Sequence, residues 1–163
     1  MQLVIEPMTA ADLPEVMEIE RLSFSSPWSQ GLFLHELKVP FSRVRVARRA
    51  HDGRKLVGYV CWWVVGPEVH LLNLAVHPDC RRGGIGRVLL QLVLDDARTH
   101  NAESVSLEVQ RDNVAAQNLY RLHGFNQNGV RRHYYGRGQD AIIMTRWLAV
   151  RGDGAAPVRN KVS

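Results

Sequence analysis

The sequence predicts an α+β fold built on a mixed, mostly antiparallel sheet of about seven strands. Three observations carry that expectation. Strand-like and helix-like stretches alternate in the order β-α-α-β-β-β-α-β-α-β-β. Two pairs of strands are joined by turn chemistry, His51-Asp52-Gly53-Arg54 and Gly136-Arg137-Gly138-Gln139-Asp140, so each pair is antiparallel. Between them Leu71 to Gly86, LLNLAVHPDCRRGGIG, reads as a strand buried on both faces, a glycine-rich turn and the start of a helix.

Each element has its own warrant. Gln2 to Glu6 is a short strand ended by Pro7. Thr9 can cap a helix over about 10–24, with Asp12 as a capping-box partner; Leu13, Val16, Met17 and Glu20 form its inner stripe, and Asp12, Glu15 and Glu18 its wet side. Pro27 breaks the chain and Ser29 can cap a second helix over about 30–38. Phe24, Trp28, Phe33 and Leu37 either staple these helices together or wall an apolar pocket. Arg43 to Ala50 alternates valines with arginines, and Lys55 to Val65 returns beside it until Gly66-Pro67. Ile85, Val88, Leu89, Leu92 and Val93 repeat at helical spacing over about 84–99, with Asn101 as a left-handed stop.

Ser104 to Val109 alternates, with Val105, Leu107 and Val109 on one face and Ser104, Ser106 and Glu108 on the other. Asn113 is the expected N-cap of a further helix carrying Ala116, Leu119, Tyr120 and His123, with Gly124 just past its end. Val130 to Tyr135 and Ala141 to Trp147 form the closing pair.

Composition narrows the class. A chain of 163 residues with 45% hydrophobic and 23% charged residues suits one globular domain, expected over 1–150, with a Gly-, Ala-, Pro- and charge-rich disordered tail over 151–163. Val57 to Val65, the longest apolar run, is too short to span a bilayer, and the N-terminus lacks the pattern of a secretory signal. Neither membrane association nor a metal is expected: Cys61 and Cys80 have no metal or redox spacing, and the histidines form no HExxH-like set. Cys80 has no readable triad around it to make it a nucleophile. A reduced, cytoplasmic protein follows. The net charge is +5, of which Arg151, Arg159 and Lys161 against Asp153 contribute +2, which leaves too little to argue for nucleic acid. Arg43, Arg45, Arg48, Arg49, Arg54 and Lys55 read as solvated surface charge, whereas Arg81, Arg82 and Arg87 suit an anionic ligand.

A strand, a glycine-rich turn and a helix start make a phosphate site, because glycines admit bare backbone and the first helical N–H groups lack internal partners. The spacing is neither GxGxxG nor GxxxxGK[ST]. Arg81-x-x-Gly84-x-Gly86 instead resembles the acyl-CoA pyrophosphate loop of the GNAT N-acetyltransferases. Further words match in order: Pro27-Trp28-Ser29; Asn73-Leu74-Ala75-Val76-His77-Pro78; Leu107-Glu108-Val109; Asn113-x-x-Ala116-x-x-Leu119-Tyr120 with Gly124-Phe125; and Arg131-Arg132-x-Tyr134-Tyr135 with Asp140-Ala141-Ile142-Ile143-Met144. They are similar to the RimI-type branch of that family, which acetylates the N-terminal alanine of ribosomal protein bS18.

The resemblance covers about 1–150. It implies the GNAT fold, with helices on both faces of the sheet, and acetyl-CoA as acetyl donor. It implies that the backbone of Leu74, Ala75 and Val76 pairs with the pantetheine arm and that Arg82, Gly83, Gly84, Ile85, Gly86 and Arg87 wrap the pyrophosphate. Asn113 also contacts the donor, Glu108 falls on the general base and Tyr120 on the general acid. Gln110 departs from the family, which commonly has Arg there; Arg111 alternates to the opposite face. A lysine, broad N-terminal or small-amine acetyltransferase is the alternative within the family, and a non-catalytic acyl-CoA-binding module the alternative outside enzymology.

The chemistry favours an N-terminal substrate. An α-amine with pKa of about 7.7–8.0 is roughly a tenth to a fifth neutral at pH 7, whereas a lysine amine near about 10.4 costs about 3.5 kcal/mol more to deprotonate. A carboxylate can then take the remaining proton, and a tyrosine can protonate the departing thiolate.

Overall fold

In the computed structural model, residues 2–149 are described; the predicted tail, 151–163, lies outside them. The strands are β1 (Leu3–Pro7), β2 (Ser42–Arg49), β3 (Leu56–Val65), β4 (Glu68–Val76), β5 (Ser104–Gln110), β6 (Asn126–Gly136) and β7 (Gln139–Trp147). The helices are α1 (Leu13–Ser23), α2 (Gln30–Glu36), α3 (Ile85–Thr99) and α4 (Val114–Leu122). One seven-stranded sheet runs β1-β2-β3-β4-β5-β7-β6. β1–β2, β2–β3, β5–β7 and β6–β7 pair antiparallel and β4–β5 parallel, as the predicted mixed sheet requires. The parallel ladder spans Glu68–Leu71 against Ser104–Leu107.

The chain divides into two compact units. The first comprises residues up to Trp63 with Leu72–Val93. Its core gathers Leu13, Val16, Met17 and Ile19 of α1 with Phe33 of α2 and Val44, Val46, Leu56 and Tyr59 of the sheet. Local capping sets the 3-10 turn over Ala10–Asp12 that leads into α1, and the start of α2. The Asp12 carboxylate accepts from the Thr9 N–H at 2.9 Å, and the Ser29 hydroxyl accepts from the Leu32 N–H at 3.2 Å. Each such cap contributes about 1 kcal/mol. Gly58 of β3 passes so close to β4 that a Cβ there would meet the Ala75 carbonyl oxygen at 3.0 Å and Leu89 at 3.2 Å. A side chain there would oblige its neighbours to give way by a few tenths of an ångström, so glycine is strongly favoured at that position.

The second unit comprises Val64–Leu71 and the chain from Leu94 onward. Val105, Leu107 and Val109 of β5 are buried, and Ala141, Ile142 and Met144 of β7 join them. Asn113 caps α4 by accepting from the Ala116 N–H at 3.2 Å. At the other end Gly124 (φ +84°) turns the chain, and Arg146 of β7 donates to the His123 carbonyl at 2.7 Å. A cation thus closes the helix where its dipole is negative.

Several boundaries and surfaces differ from expectation. The helix predicted from residue 10 opens as a 3-10 turn over Ala10–Asp12, and the α-helix begins at Leu13 with Pro14 in its first turn, where a missing N–H is harmless. β4 starts at Glu68 rather than Leu71, because Val69 is buried in alternation with its neighbours. β6 starts at Asn126, its exposed residues held by the ladder to β7 rather than by burial. Asp12 is not on a wet face: it is buried and ion-paired with Arg48, which also reaches Glu15 at 3.3 Å. Nor is the 43–55 basic cluster simply solvated. Arg54 pairs with Glu6, Arg49 lies 3.3 Å from Asp52, and Arg45 lies over the Trp62 ring.

Candidate active site

The sequence-predicted residues fall into two groups, one in each unit. In the first unit, Leu74, Ala75 and Val76 form the last residues of β4, with Ala75 and Val76 buried and Leu74 half-buried. A 3-10 turn over Pro78–Cys80 then leads into the glycine turn. Its backbone is left-handed at Arg82 (φ +68°) and again at Gly84 (φ +82°). Nothing lies within 4 Å of where a Gly84 Cβ would stand. Arg82, Gly83, Gly84 and Arg87 are exposed, whereas Ile85 is buried as the anchor of α3. The turn therefore combines a left-handed backbone, open space, cationic side chains and a 15-residue helix start, the properties that hold a pyrophosphate. Arg81 is committed elsewhere. Its guanidinium donates to the Val76 carbonyl and to the Ser23 hydroxyl, both at 3.1 Å, tying the turn to β4 and to the end of α1.

Glu108 and Tyr120 lie in the second unit. The Glu108 side chain, only 8% exposed, accepts a hydrogen bond from the His70 imidazole at 2.7 Å, and the Arg131 guanidinium stands 3.9 Å away. Burial alone would raise its pKa. The hydrogen bond and charge of His70, with Arg131, outweigh burial and hold it below the ordinary carboxylate value. Tyr120 is buried with its ring 5.8 Å from Phe125, and burial pushes its pKa well above the usual phenol value. Arg131 also lies over the Tyr134 ring, and Tyr134 and Tyr135 meet edge to face at 4.9 Å. Tyr135 feels the charges of Tyr134, Glu108 and Tyr120, so these side chains share one neighbourhood. The Asn113 side-chain oxygen is already engaged as a helix cap, which leaves its amide nitrogen as the end to offer a ligand.

His70 was missed by sequence reasoning, which began the strand at Leu71, one position past it and three past its Glu68 start. The signal lies in the strand register and not in the local sequence. β4 and β5 run parallel with His70 opposite Ser106, and Glu108 lies two residues further on the same face. Arg111, whose direction the alternation of β5 had put in question, pairs with Asp140 of β7 at 3.7 Å.

A family model described as Acetyltransferase (GNAT) family matches residues 13–125. The chain belongs to this family. It is 35% identical over 143 residues to the ribosomal protein bS18-alanine N-acetyltransferase of Salmonella typhimurium, covering 86% of this chain and 94% of that protein. Its identity to the enzyme of the same name from Escherichia coli K12 is 34% over 144 residues, again 86% and 94%. The crystal structure of the Escherichia coli ribosomal-protein-S18-alanine N-acetyltransferase superposes with a TM-score of 0.81 at 31% identity, covering 94% of this chain and 99% of that one. As a GNAT acetyltransferase the protein takes its acetyl group from acetyl-CoA, and the open, left-handed glycine turn fits that donor's pyrophosphate.

Proposed function

We propose that this acetyltransferase acetylates the α-amine of the N-terminal alanine of ribosomal protein bS18, in the cytoplasm, by direct attack of the amine on the thioester. The observation that carries the reaction is Glu108, kept ionised by His70 and Arg131 although nearly enclosed. The named relatives support the substrate.

Acetyl-CoA supplies the activated acetyl group. The backbone of Leu74–Val76 pairs with its pantetheine arm, and Arg82–Arg87, with their glycines, wrap its pyrophosphate. The amide nitrogen of Asn113 adds a donor contact. Glu108, held below the ordinary carboxylate value, is too weak a base to strip a resting ammonium. The neutral fraction of the amine enters the reaction, and its nitrogen turns strongly acidic as the C–N bond forms. Glu108, directly or through one water, then takes the proton downhill. Tyr120 keeps its proton at every physiological pH and presents it to the sulfur as the C–S bond breaks. No enzyme nucleophile is needed, and buried Cys80 has no part. Phe24 and Trp28 of the first unit, and Tyr134 and Tyr135 of the second, are the bulky groups proposed to wall the peptide's path, and Arg131 and Arg132 are proposed to grip its backbone.

Two peptides test this reading. One copies the bS18 N-terminus after methionine removal; the other is blocked at its α-amine and carries an internal lysine. Strong acetylation of the first and little of the second is expected, and equal rates would replace the reading with a lysine or broad-specificity one. Mass spectrometry of bS18 from cells with and without the gene extends the test to the intact ribosomal protein.

A further inference from the structure

Glu20 is the most deeply buried carboxylate among the described residues, at 1% exposure, and the proposed reaction does not use it. It sits on the inner stripe of α1, where the neighbouring positions are Val16, Met17 and Ile19. Both of its oxygens accept hydrogen bonds. One accepts from the Trp28 backbone N–H at 2.8 Å. The other accepts from the Tyr59 hydroxyl and from the Asn73 side-chain amide, the latter at 2.8 Å. Asn73 belongs to β4, directly before Leu74–Val76, and is itself buried. A buried carboxylate gives up its hydration and its partners return that cost only in part, so stability is a weak reason for it. What it gives is a fixed geometry: three donors from β3, β4 and the 24–29 loop converge on one side chain.

The loop it grips carries Phe24 and Trp28. Trp28 is held on two sides, with its ring 5.1 Å from Phe33 and its N–H on Glu20. Ser25, Ser26 and Pro27 between them are exposed. With Ser23 bound to Arg81, the loop is anchored at both ends while its middle faces solvent. We infer that Glu20 is a positioning residue for peptide recognition: by holding the Trp28 N–H against the strand that carries Asn73, it sets where the wall of the entry stands and so how tightly the first residue of the peptide is held. This deepens the proposed function and rests on the reading that the 24–29 loop meets the peptide.

Glu20→Gln tests it. The glutamine keeps the volume but turns one oxygen into an NH₂ group, which faces donors on either side. Losing a hydrogen bond to a charged acceptor corresponds to about a 10- to 100-fold change. KM for the bS18 N-terminal peptide is expected to rise by about that factor, with kcat within about threefold and acetyl-CoA affinity by calorimetry within about twofold. If the variant does not fold, the double variant Glu20→Met, Asn73→Leu replaces the buried pair by apolar groups and still leaves the Trp28 N–H without its acceptor; the same rise is expected.

An unchanged peptide KM in whichever variant folds overturns the inference. So does a fall in kcat and acetyl-CoA affinity alongside the rise in KM, and so does failure of both variants to fold; each makes Glu20 a general structural group. Failure of the wild-type enzyme to acetylate this peptide overturns the proposed substrate instead, so the two ideas fail separately.

Discussion

Glu20 and Glu108 are both nearly enclosed carboxylates, one in each unit of the chain, and their surroundings give them opposite characters. Glu20 is surrounded by neutral donors: an amide N–H, a phenol and a carboxamide. Both of its oxygens accept hydrogen bonds from these groups. Glu108 is held by an imidazole and a guanidinium, one able to change charge and the other permanently positive. The first arrangement makes a fixed point in the framework. The second makes a group that stays charged yet can exchange a proton. A side chain's chemistry is thus set by the kind of donors around it more than by how deeply it is buried.

The comparison breaks most directly at Glu108. Glu108→Gln should keep the fold and lower turnover about 10²–10⁴-fold, and Tyr120→Phe should do the same by removing the proton donor. Acetyl-CoA affinity, read by calorimetry, should barely move in either. Near-normal turnover from pH 6 to 9 would pass the role to water or another group.

The glycine turn should show the reverse split. Gly86→Val puts a branched side chain where the helix start is proposed to meet the pyrophosphate and is expected to weaken acetyl-CoA binding by about 100-fold or more, each tenfold being about 1.4 kcal/mol. Unchanged affinity in a folded variant would remove the phosphate-loop assignment.

His70→Ala is expected to cost about 10- to 100-fold in turnover, the worth of one hydrogen bond to a charged group. It should also carry a pH signature. Without the imidazole, burial dominates and the pKa of Glu108 rises from its depressed position. The acid limb of kcat then moves to higher pH. In the wild type the sign for stability is the depressed-carboxylate case: the ion pairs of Glu108 contribute fully above its ordinary 4.5 and are lost as pH falls through the lower folded value. An acid limb that does not move would show that His70 leaves the charge of Glu108 alone.

Smaller effects belong to the framework. Gly58→Ala sets a methyl against the Ala75 carbonyl, with an expected cost of about 1–3 kcal/mol in denaturant unfolding and some loss of acetyl-CoA affinity. Arg48→Met leaves Asp12 and Glu15 without their cation; about 1 kcal/mol, or a fall of about 2–4 °C in Tm, is expected with turnover unchanged.

Periodicity and turn chemistry made the sheet, its helices and most caps readable in advance, because those signals are local. Asn101 and Gly124 were identified from a few flanking residues, and both adopt the expected left-handed backbone. What escaped was pairing at long range. Glu20 could be placed on the inner stripe of α1, but its partners lie 8, 39 and 53 residues away. His70 became visible only with the β4–β5 register. Arg48 looked like surface charge until β2 was placed beside the carboxylates of residues 12 and 15. Two neighbours in space can be strangers in sequence, and polar side chains depend on such neighbours far more than apolar ones.

β6 ends the sheet, and almost all of its residues are exposed. A straight strand in that place would offer a second molecule a continuous ladder to zip onto. Here the register with β7 shifts between Arg131 and Gly136, His133 turns left-handed, and its N–H is taken up by Asp140 at 3.0 Å. The same irregularity that places Arg131 and the two tyrosines near Glu108 therefore also interrupts the ladder along this edge, a local shape that works against edge-to-edge pairing.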